Sequence, residues 1–240
     1  MRKGISQKEN MNIEKEFIRD VVEWDIKNWW RAIQFWEDRI ERRLEGKKVL
    51  DIGGRSGGLS LYWAMKGANV ICSDINNDGF EKARILHQKY GVEKKISYEV
   101  IDATEIPYKN EFDIICFKSV LGGVGYNNNY EKQKQMMKNI YMALVDGGNL
   151  FFCENLNASP FHQYARKKYT QWGNQWRYIH LRELSELTKG YSEVESLALG
   201  FSGVFGRTSY FADIFGTLDC LFDRWIKDED KYIVSCVCRK

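Results

Sequence analysis

Short apolar segments alternate with helical segments through the middle of the chain, from Lys48 to Glu154. The apolar runs are nearly unbroken, as they are in strands of a parallel sheet that is covered on both faces. Right-handed crossovers between such strands give a doubly wound α/β layer. The sequence therefore predicts an α/β fold. Its first five strands are Lys48–Ile52, Ala68–Asp74, Ile96–Asp102, Phe112–Phe117 and Asn149–Glu154.

Two further strands, Ser192–Leu199 and Lys231–Arg239, complete a predicted seven-stranded sheet that is mostly parallel. We expect one of these two to run antiparallel to the rest. Residues 155–176, which are aromatic and basic, and residues 207–230 are predicted insertions. The predicted helices of this region are Leu59–Lys66, Asp78–Tyr90, Asn129–Leu144, Leu181–Lys189 and Ser209–Lys227.

The N-terminal segment is helical and rich in tryptophan. From Asn12 to Leu44 apolar residues recur every three or four positions, with a break near Asp25. We predict an N-terminal helical cap over residues 1–46 and one α/β domain over residues 47–240. Two roles are open for the tryptophans. They either pack against the sheet or form a lid that closes over a bound ligand.

Charge and composition exclude several classes of protein. The formal net charge of +3 is too weak to indicate a nucleic-acid partner. No apolar run reaches the roughly 18–20 residues of a membrane span, and the charged first residues do not resemble a signal peptide. The six cysteines form no C-x-x-C pair, and five lie in predicted strands. We therefore expect buried reduced thiols, no metal site and a cytoplasmic protein.

The turn between the first strand and the first helix carries the sequence GGRSGG. Glycines let the backbone approach a ligand closely, and the helix N-terminus presents its amides to that ligand. In an open α/β sheet such a turn lies at the carboxyl ends of the strands, where ligands bind. Arg55 breaks the G-x-G-x-x-G register of dinucleotide sites. Asp51, beneath the turn, would repel a pyrophosphate but suits a ligand with an ammonium and a sulfonium, so a Rossmann dehydrogenase is disfavoured.

These residues resemble the motifs of the class I S-adenosylmethionine-dependent methyltransferases. Asp51, Gly53 and Gly57 match the family's D-x-G-x-G-x-G motif, with Arg55 at the middle glycine. Asp74 matches the acid at the end of strand two, which in the family binds the ribose hydroxyls. Arg55 has two interpretations. Its side chain either points to solvent or the N-terminal helix, or reaches the carboxylate of the cofactor.

The resemblance extends to the adenine pocket. Ile75 follows Asp74 where the family packs adenine, and Asp102, in the stretch DATEIP, stands where the family accepts a hydrogen bond from the adenine amine. Leu144–Leu150 resembles the family's L-x-P-G-G-x-L stretch. The resemblance implies that S-adenosyl-L-methionine binds here, with S-adenosyl-L-homocysteine as product. The implied cofactor-binding residues are Asp51, Gly53, Gly54, Arg55, Gly57, Asp74, Ile75, Asp102, Ala103 and Lys118.

Catalytic residues are less evident. The histidine that the family often carries after strand four is absent, because Val120–Val124 reads VLGGV. Glu154, His162 and His180 are candidates for taking a proton from a substrate hydroxyl. The competing interpretations are a helix cap for His180 and a surface loop residue for His162. His87, in the second helix, is predicted to lie on the side remote from the site.

The resemblance implies an enzyme that moves a methyl group to a small-molecule acceptor, for which we expect a sugar or nucleotide-sugar hydroxyl. The stretches EWDIKNWW and DIGGRSGG also resemble methyltransferases from polysaccharide or capsule gene clusters. The alternative is a non-catalytic S-adenosylmethionine-binding module or partner subunit, which the missing histidine and the substituted glycine favour. Methyl transfer does not strictly need a strong base, because alignment with an activated donor supplies much of the rate.

Overall fold

One seven-stranded sheet, in the order β3-β2-β1-β4-β5-β7-β6, organises the part of the chain that the structure describes. The structure is a computed structural model that describes residues 7–41, 43–170, 175–206 and 208–240. Parts of the predicted cap (1–6 and 42) and of the predicted insertions (171–174 and 207) lie outside these residues. The strands are β1 (Lys48–Ile52), β2 (Asn69–Asp74), β3 (Ile96–Val100), β4 (Phe112–Lys118), β5 (Leu144–Asn155), β6 (Glu193–Leu199) and β7 (Ile233–Arg239).

Strand direction follows the prediction. β1 lies at the centre and pairs in parallel with β2 and β4, while β3 and β5 extend the parallel sheet on either side. β7 is antiparallel to both β5 and β6, so it is the one strand among those described that runs against the others. The expected doubly wound, mostly parallel α/β fold is therefore confirmed.

Helices cover both faces of this sheet. They are α1 (Gln7–Val22), α2 (Ile26–Glu37), α3 (Gly58–Met65), α4 (Phe80–Lys89), α5 (Leu121–Val124), α6 (Tyr130–Ala143), α7 (Pro160–Tyr169), α8 (Leu184–Leu187) and α9 (Ser209–Phe222). None of the described helices has the length and apolar character needed to cross a membrane.

Several boundaries differ from the predictions. The apolar pattern through Leu44 does not mark one helix, because α2 ends at Glu37 and Leu44 is buried from the turn that leads into β1. Residues 181–189 form a short 3₁₀ turn and α8 rather than one helix. β5 begins five residues earlier than expected, and its pairing with β4 shifts register there. Apolar spacing alone does not distinguish these cases, since a turn can bury a side chain as well as a helix can.

Helix α2 belongs to the core of the molecule. Trp29, Ile33 and Trp36 are almost fully buried, and Trp36 stacks on Trp63 of α3 with ring centroids 6.2 Å apart. Phe151 of β5 packs against the same two rings. The tryptophans of α2 thus pack against the sheet, as the first of the two interpretations requires.

Candidate functional site

Three aspartates come together at the carboxyl ends of neighbouring strands. Asp51 lies near the end of β1, Asp74 ends β2, and Asp102 follows β3. The Ile101 amide donates to the carbonyl oxygen of Asp74 at 2.8 Å, which joins the last two strand ends. Oδ2 of Asp74 accepts a hydrogen bond of 3.1 Å from the backbone N–H of Arg55. The second aspartate therefore contacts the glycine-rich turn directly, at the edge where the sequence places the site.

Asp51 is buried beneath the turn. Its Oδ2 accepts a hydrogen bond of 2.6 Å from the Ser60 hydroxyl in α3. Burial raises the pKa of Asp51 to about 7. A Cβ atom on Gly54 would lie 3.0 Å from Oδ2 of Asp51 and 2.8 Å from Sγ of Cys72. Glycine is required at position 54 because the backbone must pass directly over this carboxyl group.

His87 contacts the same turn, so the prediction that it lies remote from the site is wrong. Its Nε2 is 2.9 Å from the carbonyl oxygen of Gly57, and its Nδ1 is 2.6 Å from the hydroxyl of Tyr98. Burial lowers the pKa of His87, which favours the neutral ring. The carbonyl only accepts, so Nε2–H donates to it and Nδ1 accepts from Tyr98. His87 therefore positions the turn.

Arg55 adopts a backbone conformation that favours glycine, with φ of 44°. Its side chain is exposed, and its guanidinium lies 5.9 Å from the centroid of the Trp24 ring. This placement agrees with the interpretation in which Arg55 faces solvent and the N-terminal segment. The contact with a cofactor carboxylate stays a prediction.

Trp24, between α1 and α2, covers the turn. Nζ of Lys118 lies 3.2 Å from the centroid of the Trp24 ring and donates to the carbonyl oxygen of Val22 at 3.1 Å. Burial lowers the pKa of Lys118 to about 7. Glu23 and Asp25, on either side of Trp24, both have positive φ. The lid interpretation thus suits Trp24, whereas the packing interpretation suits the tryptophans of α2.

A small cavity of about 20 Å³ remains beneath Trp24. Its walls carry two acidic and two basic side chains, a set complementary to an ammonium and a carboxylate on one ligand. The lining residues are Val21, Glu23, Trp24, Asp51, Gly53, Gly54, Arg55, Gly58, Leu59 and Lys118.

The predicted adenine side is more open. Ile75 is 66% exposed, which leaves an apolar surface free beside Asp74. Oδ1 of Asp102 accepts hydrogen bonds from the backbone N–H and the hydroxyl of Thr104, at 2.8 and 2.7 Å. Its Oδ2 accepts none within the described part of the chain. Ala103 is buried next to it. An acceptor oxygen and an apolar surface are thus both available at this edge.

Glu154 is buried and its carboxylate is fully engaged by backbone amides. Oε2 accepts from the N–H groups of Val120 and Leu121, at 2.8 and 2.7 Å, and Oε1 accepts from that of Asn155 at 2.8 Å. Burial raises the pKa of Glu154 to about 7. This geometry makes Glu154 the anchor of α5 and of the loop after β4, and both of its oxygens accept backbone hydrogen bonds in a fully buried position.

The two histidine candidates differ sharply. His162 is not a surface loop residue. It is buried in α7, with Nδ1 2.7 Å from the Ser159 hydroxyl and Nε2 2.7 Å from the Phe201 carbonyl. Both of its ring nitrogens are therefore engaged. His180 precedes the 3₁₀ turn, and its backbone N–H donates to Glu183. The cap interpretation thus holds for its backbone, while its ring lines a large cavity.

This cavity, of about 460 Å³, lies beside the loops that follow β4 and β5. Arg166, in its wall, was not singled out from the sequence. The available signal was its spacing of four residues from His162, which places both on one face of α7. No cluster of metal-ligating side chains occurs among the described residues. The lining residues are Asn128, Asn157, Gln163, Arg166, Lys167, Gln175, Trp176, Arg177, Tyr178 and His180.

Comparisons with known proteins identify the family and the fold of the chain. A family model described as a methyltransferase domain matches residues 29–194. The chain is 31% identical over 143 residues to the ubiquinone/menaquinone biosynthesis C-methyltransferase UbiE of Methylococcus capsulatus, covering 58% of this chain and 54% of that protein. It is 28% identical over 118 residues to the ubiquinone biosynthesis O-methyltransferase of Azotobacter vinelandii, covering 49% and 48%. The chain thus spans about half the length of these relatives.

Among solved structures, the fold is similar to that of phosphoethanolamine N-methyltransferase 2 of Haemonchus contortus in complex with S-adenosyl-L-methionine. The TM-score is 0.60 at 18% sequence identity, and the match covers 88% of this chain and 52% of that one. At this identity the match concerns the fold alone.

Proposed function

The chain belongs to the class I S-adenosylmethionine-dependent methyltransferases, and from this premise we propose that it methylates a small polar acceptor. The proposed acceptor group is a hydroxyl of the sugar or nucleotide-sugar class. The convergence of Asp51, Asp74 and Asp102 around the glycine-rich turn carries the cofactor part of this proposal, and the polar lining of the 460 Å³ cavity supports the polar acceptor. The buried unpaired cysteines support a reducing location, the cytoplasm.

The residues at the turn fit S-adenosylmethionine. Asp74 would hold the ribose hydroxyls, and Asp102 with Ile75 would hold the adenine. Asp51 would lie beneath the ammonium, and Lys118 would face the carboxylate. The cavity under Trp24 is too small for the methionine half, so we expect Trp24 to move aside on binding. Positive φ at both neighbours of Trp24 marks this segment as the place where the backbone changes.

When bound, S-adenosylmethionine supplies a methyl group activated by a sulfonium. His180 is the one candidate base of the three whose ring lines the large cavity. It would accept the proton that the acceptor hydroxyl loses as its oxygen bonds to the methyl carbon, while the bond between that carbon and sulfur breaks and S-adenosylhomocysteine leaves. Amide, imidazole and cationic side chains dominate that cavity, which favours a polar acceptor over the quinone precursors that the names of the relatives indicate.

The second candidate function is a non-catalytic binding module. It is favoured by the engagement of Glu154 and His162, which leaves one candidate base. The experiment that separates the two incubates the protein with S-adenosylmethionine and a panel of nucleotide sugars, and follows S-adenosylhomocysteine by mass spectrometry. We expect acceptor-dependent product formation. Tight S-adenosylmethionine binding with no product from any polar acceptor would instead favour the binding module.

Replacing Asp102 with Ala should weaken the binding of adenosine-containing ligands by about 1 kcal/mol or more, because a hydrogen-bond acceptor for the adenine amine is lost. Glu105→Ala is the matched control, since it removes an exposed carboxylate from the same loop but leaves Asp102 in place, and it should bind like the wild type. Isothermal titration with S-adenosylhomocysteine measures both. Equal affinities for the wild type and Asp102→Ala would remove Asp102 from the adenine pocket.

Arg55→Gly should raise the free energy of unfolding by about 1 kcal/mol, because glycine adopts positive φ without a steric penalty. Arg55→Ala keeps its Cβ and should give no such gain. Thermal denaturation of the three proteins tests this expectation. A lower stability for Arg55→Gly would show that the arginine side chain stabilises the turn by more than the backbone conformation costs.

Arg55→Gly, together with Arg55→Gln, also tests the proposed contact between Arg55 and the cofactor carboxylate. If the guanidinium binds the cofactor carboxylate, both Arg55→Gly and Arg55→Gln weaken S-adenosylmethionine binding. Methylthioadenosine, which lacks that carboxylate, then binds all variants alike. If Arg55→Gly binds S-adenosylmethionine as well as the wild type does, the contact is wrong.

A further inference from the structure

Arg166 is a buried cation without an acidic partner. Its side chain lies in α7, and the residue is 6% exposed. Nη1 donates to the carbonyl oxygens of Leu156 and Asn157, at 2.6 and 3.3 Å. Nη2 has no hydrogen-bond partner among the described residues. The buried carboxyl group of Glu154 interacts electrostatically with Arg166 but forms no ion pair with it. A guanidinium stays protonated in proteins, so burying it without a counter-ion is costly.

The surroundings of Arg166 are built for an anion. It lines the 460 Å³ cavity together with Lys167 and Arg177, and none of the described residues that line the cavity is acidic. Arg177 is already neutralised, because its two terminal nitrogens contact Glu183 at 2.6 and 3.0 Å. Arg166 and Lys167 therefore give the described lining of the cavity a net positive charge. Cavities of roughly 300–1,000 Å³ are typical of small-molecule sites.

The other walls suit the remainder of a polar ligand. The ring of Tyr178 lies 4.0 Å from the guanidinium carbon of Arg166 and fixes its plane. The Trp176 side chain packs on Gly122 and Gly123 of α5, where a Cβ on Gly122 would come within 2.9 Å of the indole. The cavity thus combines aromatic surfaces, amide side chains and two cations that form no ion pair with the described residues, at the carboxyl edge of the sheet.

We propose that this cavity binds the phosphate or diphosphate group of the acceptor, with Arg166 and Lys167 as its ligands. The proposal rests on the function proposed above and narrows its substrate class to phosphate-bearing acceptors such as nucleoside diphosphate sugars. A phosphate would supply the negative charge that the described lining lacks. It would give Nη2 an acceptor oxygen as well, once the side chains that bury this nitrogen shift aside. It would also hold the acceptor beside the ring of His180.

The test is a titration with inorganic pyrophosphate, followed by calorimetry, in the presence of saturating S-adenosylhomocysteine. Lys167→Gln should weaken pyrophosphate binding several-fold. Lys168→Gln is the matched control, because Lys168 is the next residue of α7 and is also exposed, but it does not line the cavity. Arg166→Gln should weaken binding by about tenfold or more, since a charge-assisted hydrogen bond is lost.

Arg166 also ties α7 to the segment after β5, so Arg166→Gln has a structural risk. Arg166→Lys keeps the charge but loses the planar fork, and it should bind pyrophosphate with intermediate affinity. Equal pyrophosphate affinity in the wild type, Lys167→Gln and Arg166→Lys would overturn the proposal, as would no binding to the wild type. Failure of S-adenosylhomocysteine to bind, with pyrophosphate binding still dependent on Lys167, would contradict the proposed function and leave the anion site standing.

Discussion

Glu154→Ala is expected to lower the free energy of unfolding by about 3 kcal/mol. The substitution removes the acceptor of three backbone amides at the carboxyl edge of the sheet. Each buried donor that loses its partner costs about 1–3 kcal/mol, and water entering the space left by the side chain offsets part of the total. Chemical denaturation of the purified variant measures the loss.

Two variants sharpen this expectation. Glu154→Gln keeps one acceptor oxygen and should show a smaller loss. Glu193→Ala removes an exposed glutamate at the start of β6 and should change stability by less than about 0.5 kcal/mol. A Glu154→Ala protein as stable as the wild type but without methyl transfer would contradict the structural role. That result would instead support a role for Glu154 as the catalytic base.

Asp74→Ala is expected to weaken cofactor binding by about 1–3 kcal/mol, through the loss of charged hydrogen bonds to the ribose hydroxyls. The structure adds a second contribution, since Asp74 also accepts from the Arg55 amide and so fixes the glycine-rich turn. Isothermal titration with S-adenosylhomocysteine measures the effect.

Asp78→Ala, in the exposed loop after β2, is the matched control and should bind like the wild type. Asp74→Asn keeps one acceptor oxygen and should fall between the wild type and Asp74→Ala. An unchanged dissociation constant in a folded Asp74→Ala protein would remove Asp74 from the ribose site.

The strands at the centre of the sheet were predictable because β1 and β4 are largely buried and read as apolar runs. The edge strand β3 is mostly exposed or half-buried, and its prediction rested on its place in the alternation of strands and helices. The placement of Asp51, Asp74 and Asp102 at one edge follows from the same pattern, since parallel strands end together. Their roles toward a ligand are still predictions. The sequence places each aspartate at the end of a strand, and the parallel α/β topology brings these strand ends together at one edge of the sheet.

Contacts between distant residues were not predictable in this way. His87 lies in a helix 30 residues after Gly57, and only the packing of α4 against the turn brings the two together. Glu154 lies one residue before the end of β5, at the edge of the sheet where catalytic residues are expected. Val120 and Leu121, which follow β4, both donate to Oε2, whereas Oε1 accepts from the adjacent Asn155 amide. The contacts with Val120 and Leu121 depend on the tertiary structure.

The burial of Arg166 is a second feature that the sequence alone did not reveal. In the sequence it is one of several cations in a basic and aromatic stretch, FHQYARKKY. The tertiary structure separates these cations by burying Arg166 and leaving Lys167 and Lys168 exposed. The spacing of four residues from His162 places Arg166 on the same helix face, but the sequence does not show that this face is buried or that the arginine forms no ion pair.

The central claim is that the carboxyl edge of β1, β2 and β3 binds S-adenosylmethionine and its product. The most direct measurement is isothermal titration calorimetry of the wild-type protein with S-adenosylhomocysteine, with NADH as the competing ligand class. The account predicts saturable one-to-one binding of S-adenosylhomocysteine and no binding of NADH. A folded protein that binds NADH, or that fails to bind S-adenosylhomocysteine, would contradict it.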